Sequence, residues 1–169
     1  TPSFFLQEQM LKEGVHEDKL LVLRNPLDLQ EYPKFDKKNI HLLFDDTNKI
    51  LLETDSFKFS QIIYNLLTNA YKYTENNGSV DIDYFVNNGN IYIKIKDTGV
   101  GISKDDIDKI FNAYYRSPEV LEINGDGIGL YVVNENLKLI NGSIEVLSEI
   151  NKGSTFIINL PLSLNLVNI

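Results

Sequence analysis

A two-layer α+β sandwich is the fold this sequence predicts, and three observations predict it. One long segment, residues 56–73, carries apolar residues at helical spacing. Two later segments alternate apolar and polar residues on either side of a turn, as β-hairpins do. Helices and hairpins are segregated along the chain instead of alternating as βαβ units. The composition supports a packed core: of 169 residues, 43% are hydrophobic and 11% aromatic, far from the profile of a disordered chain. The length suits one domain.

Taken in order, the first third is the least regular. Ser3 can cap a short helix that carries Phe4, Phe5, Met10 and Leu11 and stops at Gly14. Residues 25–38, with Pro26, Pro33 and many charges, read as a connector. Ile40–Phe44 and Ile50–Leu52 read as short strands. The pattern sharpens at Asp55. Phe59, Ile62, Ile63, Leu66, Leu67 and Ala70 predict a helix from about Ser56 to Tyr73, ended before Gly78. Val80, Ile82, Tyr84 and Val86 alternate, as do Ile91, Ile93 and Ile95, and Asn87-Asn88-Gly89-Asn90 between them is a hairpin turn. Ser103 with Asp106 resembles a capping box that opens a helix to about Phe111. Residues 112–127 have no periodicity and read as a mobile loop. A second long helix is expected over Ile128–Ile140, with Gly142 as its C-cap. Residues 143–148 and 155–160 form a last hairpin around Asn151-Lys152-Gly153, closed by Pro161. This gives about three helices and five to six strands.

Charge and composition narrow the function. The net charge of −8, from 16 Lys plus Arg and 24 Asp plus Glu, disfavours duplex nucleic acid and anionic membranes as partners, since both are polyanions. The absence of cysteine excludes disulfides, thiolate metal sites and a catalytic thiol, and fits a cytoplasmic location. No apolar run approaches the ~20 residues that span a bilayer, and no signal segment opens the chain. Thr1 is not Met, so a piece of a longer protein is expected.

Three features carry chemistry. On the 56–73 helix, Asn65, Asn69 and Lys72 recur at i, i+4 and i+7, on a stripe about 100–120° round from the apolar arc. Tyr73 falls between stripe and core. Asn is a mediocre helix former, so two of them in mid-helix have no propensity rationale. An amide oxygen suits Mg²⁺, and an ammonium one turn on suits phosphate; taken alone, the stripe is equally a solvated polar face. Asp97-x-Gly99-x-Gly101 follows a strand, and its glycines permit a sharp turn and close approach. Its carboxylate can accept from an exocyclic amine such as adenine's, although the segment also suits an ordinary strand-to-helix turn. Gly125-Asp126-Gly127-Ile128-Gly129-Leu130 opens a helix, where backbone N–H groups favour an anion or the glycines serve as a hinge. The P-loop motif, the G-x-G-x-x-G spacing, G-x-S-x-G, H-E-x-x-H and the protein-kinase set are all missing. With only His16 and His41, a histidine zinc site has too few ligands.

In combination and in order, these motifs resemble the ATP-binding catalytic domain of bacterial two-component sensor histidine kinases, in the GHKL ATPase superfamily. Asn65-Leu66-Leu67-Thr68-Asn69-Ala70-Tyr71-Lys72-Tyr73-Thr74 matches the family's N box. Asp97–Ile102 matches its first glycine box, Ile110-Phe111 through Tyr114-Tyr115-Arg116 its F box, and Gly125–Leu130 its second glycine box. Gly153-Ser154-Thr155-Phe156 with Leu160-Pro161 matches the closing strand pair. The resemblance covers residues 37–161. It implies a mixed sheet of about five strands on about three helices, with a flexible ATP lid. The catalytic domain is then expected over 37–162, after a poorly matched segment 1–36 and before a tail 163–169.

The resemblance also implies roles by position. Asn69 coordinates Mg²⁺ that bridges the ATP phosphates, and Asn65 supports the same cluster. Lys72 contacts phosphate and Tyr73 packs on adenine. Asp97 binds the adenine amino group, with Gly99, Gly101 and Ile102 shaping the pocket. Arg116 reaches the phosphates from the lid, making it, with Asn65 and Lys72, a catalytic candidate. Gly125, Gly127 and Gly129 let the lid fold and donate N–H groups, beside Leu130. Thr155 joins the adenine end through a hydroxyl or a water. Such a site works by positioning ATP. The implied partners are ATP, the phosphoacceptor helical-hairpin domain of a parent kinase and, indirectly, a response regulator, with no nucleic acid and no direct membrane contact. The parent itself is of the kind that can be a membrane-anchored sensor.

Two departures stand out. Asp126 puts a carboxylate where the family often has a neutral residue, and the first third matches poorly. Relatives that hydrolyse ATP have Glu four residues before the Mg²⁺-binding Asn. Here that position is Asn65, whose amide cannot take a proton, so slow hydrolysis and transfer to a protein histidine are expected. His16-Glu17 begins like the family's phosphoacceptor box, but Asn25-Pro26 follows too far on, so the acceptor is expected upstream of Thr1. His41 alternates within a strand and reads as structural. The alternatives are a stand-alone GHKL ATPase or protein kinase, and an inactive pseudokinase-like binding module, to which Asp126 points.

Overall fold

The computed structural model describes residues 20–23, 41–44, 50–121, 123 and 125–162. The expected helix near Ser3–Gly14, the connector 25–38 and the tail 163–169 lie outside the described residues. Strand β1 (Leu20–Leu23), an apolar run that the pattern reading passed over, pairs antiparallel with β3 (Ile50–Glu53) as a separate two-stranded ribbon. The main sheet is mixed. It holds β2 (His41–Phe44), β4 (Ser79–Asn87), β5 (Asn90–Asp97), β6 (Ser143–Glu149) and β7 (Gly153–Pro161) in the order β2-β4-β5-β7-β6. Strand β2 runs parallel to β4; every other pairing is antiparallel. The α+β sandwich and its five-stranded mixed sheet are therefore as expected.

Helix α1 (Ser56–Tyr73) starts at Asp55, whose carboxylate accepts the Lys58 N–H at 2.9 Å and also pairs with the Lys58 ammonium. It ends at Thr74, whose N–H and hydroxyl both donate to the Ala70 carbonyl, at 3.0 and 2.6 Å. All six apolar positions read from the sequence are buried. They meet Val80 and Ile82 of β4, Ile91, Ile93 and Ile95 of β5, and Phe156, Ile158 and Leu160 of β7 in one core. Helix α2 (Gly129–Leu139) lies beside α1 and buries Val133 and Leu137. The Gln61 side-chain oxygen accepts from the Asn136 amide at 2.9 Å and ties the two helices together. The β4–β5 turn is the expected Asn-Gly pair, with Asn88 and Gly89 at φ 50° and 74°.

Two local expectations are corrected. Residues 103–111 form successive tight turns, not a regular helix. Their bonds run mostly over three residues, as from Asp106 N–H to Ser103 at 3.1 Å and from Lys109 N–H to Asp106 at 2.8 Å. The Asp106 carboxylate accepts the Tyr115 hydroxyl at 2.7 Å, a contact from beyond this segment. The left-handed residue after α2 is Asn141, at φ 57°, not Gly142. Asn141 N–H bonds Lys138 O and Gly142 N–H bonds Leu137 O, at 3.3 and 2.7 Å, which is a Schellman motif. Gly142 is required for space, because a Cβ there would sit 2.5 Å from a Leu160 methyl. Among the described residues, no helix is long and apolar enough to cross a membrane.

Candidate functional site

The polar side of α1, the loop after β5 and the segment leading into α2 enclose a cavity of about 460 Å³, within the range of small-molecule sites. From α1 come Asn65, Thr68, Asn69, Lys72 and Tyr73. The stripe is thus one wall of a cavity. Asn65 donates its amide N–H to the Gln61 carbonyl at 2.8 Å. That fixes the side chain, and its Oδ1 lies where a Cβ on Gly129 would be 3.0 Å away. The Lys72 ammonium sits 4.9 Å above the Tyr73 ring, in cation–π contact. The same ammonium fills the space that a side chain at Gly125 would need.

Asp97 closes β5 with only 4% of its surface exposed. Its Oδ1 accepts the Gly99 N–H at 2.8 Å and the Ser154 N–H at 3.2 Å. Burial pushes its carboxyl above the ordinary range, and these two amides pull the other way. The loop is packed backbone to backbone. A Cβ on Gly99 would meet the Tyr73 carbonyl, and one on Gly101, at φ 73°, would meet that of Glu149. Val100 N–H bonds Tyr73 O at 3.2 Å, and Asn151 N–H bonds Val100 O at 2.8 Å. The β6–β7 turn therefore braces the glycine loop.

Above the cavity, the Asp106 carboxylate anchors the root of the 112–127 segment. It is only 6% exposed, and the hydroxyls of Tyr115, then Ser117 and Ser103, hold its carboxyl below the ordinary range. Arg116 lines the cavity, yet its guanidinium donates to the Val120 and Leu121 carbonyls at 2.7 and 3.0 Å and also to that of Ile123. In this arrangement it orders the segment, which carries one 3₁₀ turn at Pro118–Val120. Gly127, at φ 74°, packs against the Tyr115 carbonyl. Asp126 is exposed at the rim, and its Oδ1 accepts the Ile128 N–H at 3.1 Å.

The cavity brings together Asn65, Asn69, Lys72, Tyr73, Asp97, Gly101, Ile102, Arg116, Gly125, Gly127, Gly129 and Leu130. Gly99 supports it from behind Asp97. Thr155 does not reach it. Strand residues alternate faces, and the cavity-side residues of β7 are Ser154 and Phe156, so Thr155 points away. Ser154, Thr68 and Ser117 were not singled out from the sequence. Ser154 was readable from parity alone, since it shares its face with the apolar Phe156, Ile158 and Leu160.

A Mg²⁺ ion fits the donors present. Asn65 and Asn69 offer hard amide oxygens, and the buried Thr68 hydroxyl on the same wall has no protein partner. Among the described residues no three His, Cys, Asp or Glu side chains cluster as a metal site. The donor set therefore suits an ion that arrives with phosphate oxygens.

Fold and site together define a nucleotide-binding module of the GHKL kind. The chain belongs to the histidine kinase-, DNA gyrase B- and HSP90-like ATPase family, whose profile matches residues 54–164. Among curated proteins it is similar to the sensor histidine kinase AtsR of Burkholderia thailandensis, 36% identical over 121 residues. That match covers 68% of this chain and 20% of AtsR. It is also similar to the sensor protein SrrB of Staphylococcus aureus, 28% identical over 159 residues, 90% of this chain and 27% of SrrB. The chain thus spans about a quarter or less of these relatives. Among solved structures, full-length ShkA in complex with AMPPNP superposes with a TM-score of 0.73 at 23% identity, over 92% of this chain and 34% of ShkA. The resemblance to sensor-kinase catalytic domains is thereby confirmed.

Proposed function

We propose that residues 37–162 bind Mg-ATP and donate its γ-phosphoryl group to a histidine on a separate phosphoacceptor domain of a sensor kinase. In that step the bond from the γ-phosphorus to the β,γ-bridging oxygen breaks, a P–N bond to the imidazole forms, and ADP leaves. The observation that carries the reading is the polarity of one cavity. A buried carboxylate, Asp97, lines it beside Ser154. A second group lines it as well: Lys72 beside Gly125 and Asn65 beside Gly129, at the glycine-rich start of α2. An adenine edge and a phosphate chain have that same asymmetry.

Asn69, supported by Asn65, holds the metal, and Lys72 pairs with phosphate while Tyr73 lies along the base. Gly125, Gly127 and Gly129 leave backbone N–H groups open to phosphate oxygens, and Arg116 turns to them when the nucleotide enters. The bound Mg²⁺ supplies charge neutralisation of the phosphates. Asn65 lacks a basic oxygen, so water is not activated and hydrolysis stays slow. Asp126, the feature that points to an inactive module, directs its Oδ1 at the Ile128 N–H, which lessens its repulsion of phosphate. Such a domain acts in the cytoplasm of a parent that can be membrane-anchored, upstream of a response regulator.

Calorimetric titration with the ATP analogue AMP-PNP and Mg²⁺ tests this. Saturable binding is expected, lost in Asn69→Ala while the circular dichroism spectrum is kept. No saturable binding by the unaltered chain, or ATP hydrolysis at the rate of dedicated ATPases, would sink the reading.

A further inference from the structure

Ser148, on β6, contributes nothing to the cavity lining, yet it sits at a junction of three hydrogen bonds beside Asp97. Its Oγ is 2.8 Å from the Ile102 amide nitrogen, 2.9 Å from the Gly153 carbonyl oxygen and 3.0 Å from Ser154 Oγ. A serine hydroxyl has one proton and two lone pairs. The amide can only donate, so it takes one lone pair. The carbonyl can only accept, so it takes the proton. What remains on Ser148 is a lone pair, and the third bond must be donated by the Ser154 hydroxyl. Ser154 is buried, 6% exposed, and lines the cavity. With its only proton committed to Ser148, it faces a ligand as an acceptor alone. Asp97, the neighbouring group, has its Oδ1 occupied by the Gly99 and Ser154 amides.

We propose that Ser148 is a positioning residue for base selection: it fixes the direction of the Ser154 O–H bond and so makes this end of the cavity accept protons only. An exocyclic amine, as on adenine, is matched there directly or through a water. A carbonyl oxygen in the same place, as on guanine, meets only acceptors and is rejected. Without the Ser148 hydroxyl, Ser154 is free to rotate and donate, and the rejection relaxes. The inference rests on the ATP reading above and deepens it.

Paired titrations with Mg-AMP-PNP and its guanine counterpart GMP-PNP test it. The unaltered chain should favour the adenine analogue. Ser148→Ala should reduce the ratio of the two affinities about tenfold, the size expected for one buried hydrogen-bond mismatch, and Ser148→Thr, which keeps a hydroxyl on Cβ, should restore it. Equal weakening of both analogues in Ser148→Ala would reduce Ser148 to a brace and overturn the proposal, as would an unchanged ratio. If Ser148→Ala does not fold, Ser148→Cys, of similar size but with only a weak donor and acceptor, gives the second reading: a reduced affinity ratio supports the proposal, and an unchanged ratio overturns it. Failure of the unaltered chain to bind AMP-PNP at all would remove the ATP reading itself, an outcome distinct from binding without the Ser148 effect.

Discussion

Asp97 is buried against the preference of its own charge. Its carboxyl is raised by desolvation, so the sign of its effect on stability is set: the contribution is fully present below the unfolded value, near 4, and is lost as pH rises through the folded value. At neutral pH the ionised group therefore weighs on the fold. Asp97→Asn should keep or raise the melting temperature at pH 7, because an amide oxygen can still accept from Gly99 and Ser154. The same change should weaken AMP-PNP binding about tenfold or more, since a charge-assisted hydrogen bond is lost. Thermal melts and titrations of one preparation check both halves. Gly101 sits at φ 73°, and a Cβ there would fall on the Glu149 carbonyl, so Gly101→Ala should cost about 2 kcal/mol or more in urea unfolding. At this scale the sequence was legible where chemistry and spacing coincide, as in Asn65, Asn69, Lys72 and Asp97. It was misread at Thr155, where motif position was followed and strand parity was not. It was silent on Ser148, whose partners Ile102 and Gly153 come from the loop after β5 and from the start of β7.

At the scale of elements, α1 serves as both core and site wall. Leu66 is fully buried in the core, and Leu66→Ala should cost about 2–5 kcal/mol. The Asp55 cap should be worth about 1 kcal/mol on replacement by Ala. Its carboxyl is lowered chiefly by the Lys58 side chain and then by the Lys58 amide. That contribution is present above about pH 4 and fades as pH falls through the lowered folded value. Unfolding of Asp55→Ala and the unaltered chain, followed from pH 3 to 7, should therefore differ least at the acid end. The root of the segment that follows Phe111 depends on Asp106 in the same sense. Asp106→Ala should expose residues 112–127 to protease at neutral pH and leave the core's melting temperature almost unchanged. Helices and hairpins with strong periodicity were readable because burial enforces the pattern. Residues 103–111 were not, because the Asp106 carboxylate serves Tyr115 and Ser117, contacts that no local pattern encodes.

For the molecule as a whole, nucleotide and fold are linked by mass action. With Mg-AMP-PNP at a hundred times its dissociation constant, stability should rise by about 2.7 kcal/mol and the melting temperature by about 5–10 °C. EDTA should abolish most of that rise, which a thermal shift assay reads directly. The net charge of −8 is compatible with the proposed anionic ligand because the groups proposed to bind it are confined to one cavity. Of the sheet order, the two hairpin pairings were readable from their turns, but the β2–β4 and β5–β7 pairings were not, since pattern alone does not choose neighbours for strands distant in sequence. That order has a consequence for biosynthesis. Strand β7 is the last of the described strands to be made, yet it lies between β5 and β6 and supplies the amide that holds Asp97. On the ribosome, the asparagine wall and both glycine loops emerge before the strand that completes the proposed base pocket. A nascent chain arrested before Ser154 would carry the proposed phosphate-side residues together with Asp97 and Ser148, and would still lack the amide that holds the Asp97 carboxylate and the hydroxyl that Ser148 is proposed to orient.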